Sequence, residues 1–162
     1  MAKTRLNELT YTPIQQRTHN DCGIACIAMY ARVPYEEAQA AVMKYDSHMP
    51  KIGVSRGTMI RALKDLGMNV TASWQFFDGI PCIVSVPSLN TEAAMHSVFW
   101  NGNTREVYDP QEGKMKLGSP LKTYTPALIY KGWSTTVVDI DAAAEGMGCS
   151  IEAVTDFINR RD

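Results

Sequence analysis

The spacing of apolar residues changes near the middle of the chain, from a helical period to the patterns typical of strands. Before Gly67 the spacing predicts three helices, over residues 22–30, 34–44 and 55–66. The first is apolar on nearly every side, so we expect it to be central and buried. Ser55 is a good N-cap for the third, and Gly67 stands where a helix is expected to end.

After this point the pattern predicts short strands. Segments rich in β-branched and aromatic residues, bounded by turn residues, occur at 69–74, 80–86, 95–100, 105–108 and 127–130. Asn101-Gly102-Asn103 has the chemistry of a turn, so we expect the segments on either side of it to form a hairpin. Helices followed by an antiparallel sheet make an α+β fold.

The tail of the chain has a different pattern. An alanine-rich helix, a Gly-Met-Gly break and a final helix capped by Ser150 are predicted there. We interpret residues 1–132 as one domain and residues 133–162 as a C-terminal helical extension of unknown role. A docking or oligomerisation role for its last helix is favoured over contact with nucleic acid, because the net charge of the chain is −1.

Composition narrows the class of protein. The chain has 162 residues, of which 45% are hydrophobic and 20% charged, as in ordinary globular domains. It shows no apolar run long enough to span a membrane and no secretory signal. Its four cysteines are not spaced like a disulfide scaffold. We therefore expect free thiols, a cytoplasmic location and no metal or cofactor.

One cysteine stands where a helix is predicted to start. Cys22 follows the polar loop 15–21, and Asn20 or Asp21 is placed to cap the helix. The unpaired N–H groups and the dipole of a helix N-terminus favour an anion, and a thiolate is an anion. Cys22 is therefore a candidate nucleophile.

Three further residues supply what a thiol nucleophile needs. His96 and Asp109 lie on either side of the predicted hairpin turn, roughly opposite each other, so the carboxylate can accept from one ring nitrogen while the other faces the thiol. Gln16 lies six residues before Cys22, where its amide can donate to an oxyanion together with the Cys22 N–H. The adjacent Gln15 has the wrong spacing.

Several motifs follow one another in a recognisable order, namely Gln16, Asp21-Cys22-Gly23, Ala25-Cys26, Ala28-Met29, Leu66-Gly67, Gly79-Ile80-Pro81, His96-Ser97-Val98 and Asp109-Pro110. In this order they resemble the papain-like cysteine peptidases, in particular the bacteriocin-processing type that cleaves leader peptides after a double glycine. The resemblance covers about residues 14–132. Members of that family are often the N-terminal part of a transporter.

The resemblance implies a fold and a site. The fold is papain-like, with N-terminal helices, the nucleophile on a central helix, and that helix packed on an antiparallel sheet. The implied roles are Cys22 as nucleophile, His96 as general base, Asp109 as the residue that orients it, and Gln16 as oxyanion donor. The implied partner is a peptide or protein substrate.

Simpler interpretations of the same residues remain. Cys26, one helical turn after Cys22, is better explained as a small buried packing residue. A zinc site at His19, Cys22 and Cys26 has too few ligands and no Cys-x-x-Cys pair. His48 lies in a polar loop, where a surface position is the default.

The sequence thus predicts a cysteine peptidase that hydrolyses a peptide or isopeptide bond. Two alternatives stay open. The same site can pass an acyl group to an amine, as in an acyltransferase or deamidase, or the chain can be a papain-like binding protein without catalytic activity.

Overall fold

The computed structural model describes residues 8–18, 20–47, 53–90, 94–111 and 122–160. Its helices and strands, in chain order, are α1 (Cys22–Ala31), α2 (Tyr35–Met43), α3 (Arg56–Asp65), β1 (Val70–Ser73), β2 (Cys82–Pro87), β3 (Met95–Asn101), β4 (Glu106–Tyr108), α4 (Pro126–Gly132), β5 (Thr135–Asp139), α5 (Ile140–Met147) and α6 (Ile151–Ile158). The predicted α+β class is confirmed.

The five strands form one antiparallel sheet in the order β1-β5-β2-β3-β4. Alternate side chains of the strands point to opposite faces. One face, which includes Ile83 and Phe99, packs against α1 and the helices beside it. The other, which includes Val84 and Trp100, packs with α4, α5 and α6. The sheet is therefore covered by helices on both faces.

Helix α1 is buried as its composition predicts. Its residues from Gly23 to Tyr30 are all buried, and five consecutive side chains, from Ile24 to Ala28, have no exposed surface. The helix packs on β2 and β3 and against α2 and α3. Only its first and last residues reach solvent, so chemistry on this helix is confined to its ends.

Two elements of the last third differ from the prediction. The expected strand at 127–130 is wrong, because this segment lies in helix α4. Thr125 caps that helix by accepting a hydrogen bond from the Leu128 N–H, and Pro126 occupies its first position. These two start signals outweigh the aliphatic and aromatic composition that suggested a strand.

The second difference is a strand that the sequence analysis did not assign. β5 lies between β1 and β2, so residues 135–139 belong to the middle of the sheet. A run of four β-branched residues at 135–138 is the signal that identifies it. The helical part of the predicted extension corresponds to α5 and α6, and Ser150 caps α6 by accepting from the Ala153 N–H.

Among the described residues, no helix is both long and apolar enough to span a membrane.

Candidate active site

Cys22 is the first residue of α1 and is partly exposed, whereas the next eight residues are buried. Packing explains why the residue after Cys22 is a glycine. A Cβ atom on Gly23 would lie 2.8 Å from the Cβ of Val54, just before α3. The start of α1 is therefore pressed against this segment, and the thiol is left at the open end of the helix.

His96 and Asp109 form a close pair. His96 Nε2 lies 2.8 Å from Asp109 Oδ1, and the two side chains are only 6% and 11% exposed. Asp109 Oδ1 also accepts a hydrogen bond of 2.9 Å from the Gln111 N–H. Since Phe99 pairs with Tyr108, Asp109 is a diagonal neighbour of His96 and not its direct partner across the hairpin.

The imidazole of His96 bridges two groups. With Nε2 on Asp109, its other ring nitrogen, Nδ1, is left for the thiol of Cys22, which is hydrogen-bonded to His96. The ring of Tyr124 stacks on the imidazole at a centroid distance of 5.6 Å and an interplanar angle of 24°. Tyr124 is fixed in turn, because its hydroxyl donates to the Pro87 carbonyl and accepts from the Leu89 N–H.

The electrostatics of the pair favour charge separation. Burial alone would raise the pKa of the Cys22 thiol, but the hydrogen bond and positive charge of His96, with N–H groups of Ser97 and Gly23, lower it overall. Burial would lower the pKa of His96, but its bonds to Asp109 and Cys22 raise it to about 9. A thiolate beside an imidazolium is the form that both shifts stabilise.

Gln16 lies on the loop that leads into α1 and is 3% exposed. Its backbone N–H donates to the Pro110 carbonyl at 2.7 Å, which ties this loop to the turn after Asp109. Its side-chain Nε2 donates to the Thr18 carbonyl at 2.8 Å. A second Nε2 hydrogen remains for an acceptor. Within the described part of the chain, Oε1 is buried without a partner.

Asp21 occupies the cap position of α1 but, contrary to the prediction, its side chain does not cap the helix. The carboxylate turns back to the preceding loop and accepts from the N–H groups of Arg17 and Thr18 and from the Thr18 hydroxyl. It also accepts from the Tyr35 hydroxyl on α2, at 2.5 Å. The first N–H groups of α1 are therefore not consumed by this side chain.

Cys26 is fully buried, as predicted for a packing residue, and burial raises the pKa of its thiol. In the segments that the structure describes, no three His, Cys, Asp or Glu side chains gather as metal ligands. His19, which the zinc alternative required, and His48 lie outside the described residues. The chemistry supported by the described residues is thus that of a thiolate with an adjacent acid and base.

Comparisons with known proteins identify the family and the fold. The Peptidase C39 family matches residues 10–120. Among solved structures, the fold is similar to that of the peptidase domain of Streptococcus ComA, a bi-functional ABC transporter involved in a quorum-sensing pathway. That match has a TM-score of 0.51 at 16% sequence identity and covers 79% of this chain and 96% of the other.

None of the curated proteins compared matches the sequence. The family match covers well over half of the chain, and the structural match shows the same fold. The chain therefore belongs to the Peptidase C39 family and is a cysteine peptidase with a papain-like fold.

Proposed function

We propose that this chain hydrolyses peptide bonds with Cys22 as nucleophile, His96 as general base and acid, Asp109 as the residue that orients His96, and Gln16 as oxyanion donor. The observation that carries the proposal is the position of His96. Its ring bridges the thiol at the start of α1 and the carboxylate after β4, with Nε2 2.8 Å from Asp109 Oδ1.

In the first step the Cys22 thiolate attacks the carbonyl carbon of the scissile bond, and the carbonyl electrons move to oxygen. The second Nε2 hydrogen of Gln16 and the Cys22 N–H donate to this oxyanion. The C–N bond then breaks, and the leaving amine takes its proton from the His96 imidazolium. The product of this step is a thioester on Cys22.

In the second step water attacks the thioester. His96, now neutral, accepts the proton of that water, and the oxyanion forms again at the same donors. The C–S bond breaks, the carboxylic acid product is released, and the thiolate–imidazolium pair of the enzyme is regenerated. Asp109 holds Nε2 of the ring throughout, which keeps the reacting nitrogen aimed at Cys22.

Peptides that end in Gly-Gly at the scissile bond are the first substrates to test. The resemblance of the sequence motifs to those of double-glycine leader peptidases supports this choice. Substrate recognition in this chain is therefore proposed to be that of an extended peptide segment with small residues before the cut.

A nucleophile substitution tests the proposal. Cys22→Ala is expected to abolish cleavage of an acetyl-Gly-Gly aminocoumarin amide and, when combined with Cys149→Ala, labelling by iodoacetamide. Cys149→Ala is the matched control, since Cys149 is also a partly exposed free thiol but belongs to the tail. Cleavage that survives Cys22→Ala would refute the mechanism.

Product analysis separates the two remaining alternatives. Hydrolysis yields the free acid even when glycinamide is added, whereas an acyltransferase yields the glycinamide adduct as main product. A wild-type protein that binds leader peptides and cleaves none of them would point to a binding protein.

A further inference from the structure

The loop between Gln16 and Cys22 is folded back on the Asp21 carboxylate. This carboxylate is 1% exposed and accepts four hydrogen bonds: 2.7 Å from the Arg17 N–H, 2.8 Å and 2.9 Å from the Thr18 N–H and hydroxyl, and 2.5 Å from the Tyr35 hydroxyl. Three of the donors are on the loop itself, and the fourth is on a different helix. The Asp21 side chain therefore holds the loop together and also attaches it to helix α2.

The contacts continue from this carboxylate to the proposed oxyanion donor. Asp21 fixes the N–H and hydroxyl of Thr18, and the Thr18 carbonyl accepts from Gln16 Nε2 at 2.8 Å. A continuous series of hydrogen bonds thus runs from Tyr35 through Asp21 and Thr18 to the Gln16 amide. None of these bonds involves Cys22 or His96.

We infer that Tyr35 and Asp21 are positioning residues, which hold the Gln16 amide in the direction needed to bind the oxyanion. This inference rests on the proposed function of Gln16. A glutamine side chain has several rotatable bonds, so an unanchored amide would have to be ordered at each reaction step. An amide that is already fixed stabilises the oxyanion without that cost.

The anchor itself is well supported. Tyr35 is 5% exposed, and the Arg17 guanidinium lies over its ring, 4.0 Å from the centroid. Burial alone would raise the pKa of Asp21, but the bonds from Tyr35 and the loop lower it, so the carboxylate is charged at neutral pH. A charged acceptor strengthens each of the bonds that it receives.

The test compares Tyr35→Phe with Tyr45→Phe. Both changes remove one hydroxyl that donates to an aspartate at 2.5 Å, but Tyr45 bonds Asp65 on the exposed surface between α2 and α3. Tyr35→Phe is expected to lower kcat for the acetyl-Gly-Gly amide by about 10-fold, a part of the 10²- to 10³-fold loss typical of deleting an oxyanion donor. Tyr45→Phe is expected to leave kcat unchanged.

The rate of Cys22 alkylation by iodoacetamide separates a general loss of structure from a specific effect on Gln16, because only a loss of structure would slow alkylation as well. Iodoacetamide reacts when the thiolate attacks its methylene carbon and iodide leaves, so no oxyanion forms. Measured in the Cys149→Ala background, its rate reports the Cys22–His96 pair alone, and Tyr35→Phe is expected to keep the rate of that background and its pH dependence. A parallel loss of alkylation and hydrolysis would mean that Tyr35 only maintains the fold, and would overturn the inference.

A double-mutant cycle shows whether the effect passes through Gln16. In a Gln16→Ala background, Tyr35→Phe is expected to cause less than a twofold further loss of kcat, because the amide that it positions is gone. Additive losses would overturn the inference. Asp21→Asn, which keeps the side-chain shape and removes its charge, serves as a second variant and is expected to show the same dependence on Gln16.

Failure of the proposed function has a different signature. If iodoacetamide labels wild-type Cys22 but no peptide amide is cleaved and no acetyl-Gly-Gly nitrile adds to the thiol, the proposed function and this inference both fail. If wild type cleaves and Tyr35→Phe cleaves equally well, the inference fails alone.

Discussion

At the scale of single residues, the pKa of the Cys22 thiol depends on the neighbouring imidazole of His96. The thiol is partly exposed at a helix N-terminus, but the largest effect that lowers its pKa is the hydrogen bond to the imidazole. The same bond, together with that to Asp109, raises the pKa of His96 to about 9. The reactive ion pair therefore exists between the two pKa values.

Hydrolysis is expected to follow a bell-shaped pH profile. As pH falls through the lowered pKa of Cys22, the thiolate is protonated and activity is lost. As pH rises through about 9, the His96 imidazolium loses its proton and can no longer protonate the leaving amine. Initial rates of peptide cleavage from pH 5 to 10 measure both limbs.

Asp109→Asn is expected to move the upper limb to lower pH, because the bond and charge of Asp109 raise the pKa of His96. Asp78→Asn is a suitable control, since that carboxylate pairs with Arg105 at 2.9 Å on the surface. An upper limb that stays in place in Asp109→Asn would show that Asp109 does not set the protonation of His96.

The residues of the site differ in how visible they are from sequence. His96 and Asp109 could be brought together in advance because one hairpin carries both, and the order of motifs suggested Cys22 as their partner. The partners of Asp21 could not, because Tyr35 lies fourteen residues away and reaches Asp21 only once α2 packs beside α1. Local capping preference favoured the helix, but the donors of the preceding loop and the Tyr35 hydroxyl bind the Asp21 carboxylate instead.

At the scale of elements, the hairpin of β3 and β4 carries His96 on β3 and leads directly to Asp109 after β4. Its turn passes very close to the backbone before β2. A Cβ atom on Gly102 would lie 2.4 Å from the backbone N and C of Ile80. Only a residue without a side chain fits this contact, so Gly102 links the hairpin to the rest of the sheet.

Gly102→Ala is expected to reduce the free energy of unfolding by about 1–3 kcal/mol, as for other overpacked sites, and to lower activity by displacing His96 relative to Asp109. Gly57→Ala is the matched control, because a Cβ there meets nothing within 4 Å and the position is in helix α3. That change is expected to stabilise the protein by up to about 1 kcal/mol. Urea denaturation measures both, and equal effects would exclude a packing role for Gly102.

Element prediction succeeded where start and stop signals agreed with periodicity, as for the helix capped by Ser55. It failed at α4, where the apolar run Ala127-Leu128-Ile129-Tyr130 suits either state. The outcome there depends on Thr125 and Pro126, which precede the run. Short apolar segments are ambiguous by composition, and their flanking residues decide between helix and strand.

At the scale of the whole molecule, β5 joins β1 to the rest of the sheet. It pairs with β1 through residues 136–139 and with β2 through residues 135–138. Without β5, no strand would link β1 to β2 in the sheet. The predicted division after residue 132 would separate this strand from the sheet that it completes.

A protein that ends at residue 134 is expected to lose cooperative thermal unfolding and peptidase activity, because β5 and the buried side chains of Val137 and Val138 are removed. A protein that ends at residue 148 keeps β5 and lacks only α6, and it is expected to fold with a lower Tm. Circular dichroism melting curves distinguish them. A stable, active protein of 134 residues would support the division.

The place of β5 also sets the order in which the enzyme becomes active during synthesis. Cys22 and its helix leave the ribosome early, but β1 can be joined to the strands that include His96 only once residues 135–139 have been made. Contacts so distant in sequence form late, after the cost of closing a long loop has been met. We therefore expect the nascent chain to carry Cys22 well before the complete sheet exists, and to gain peptidase activity only after β5 has been made.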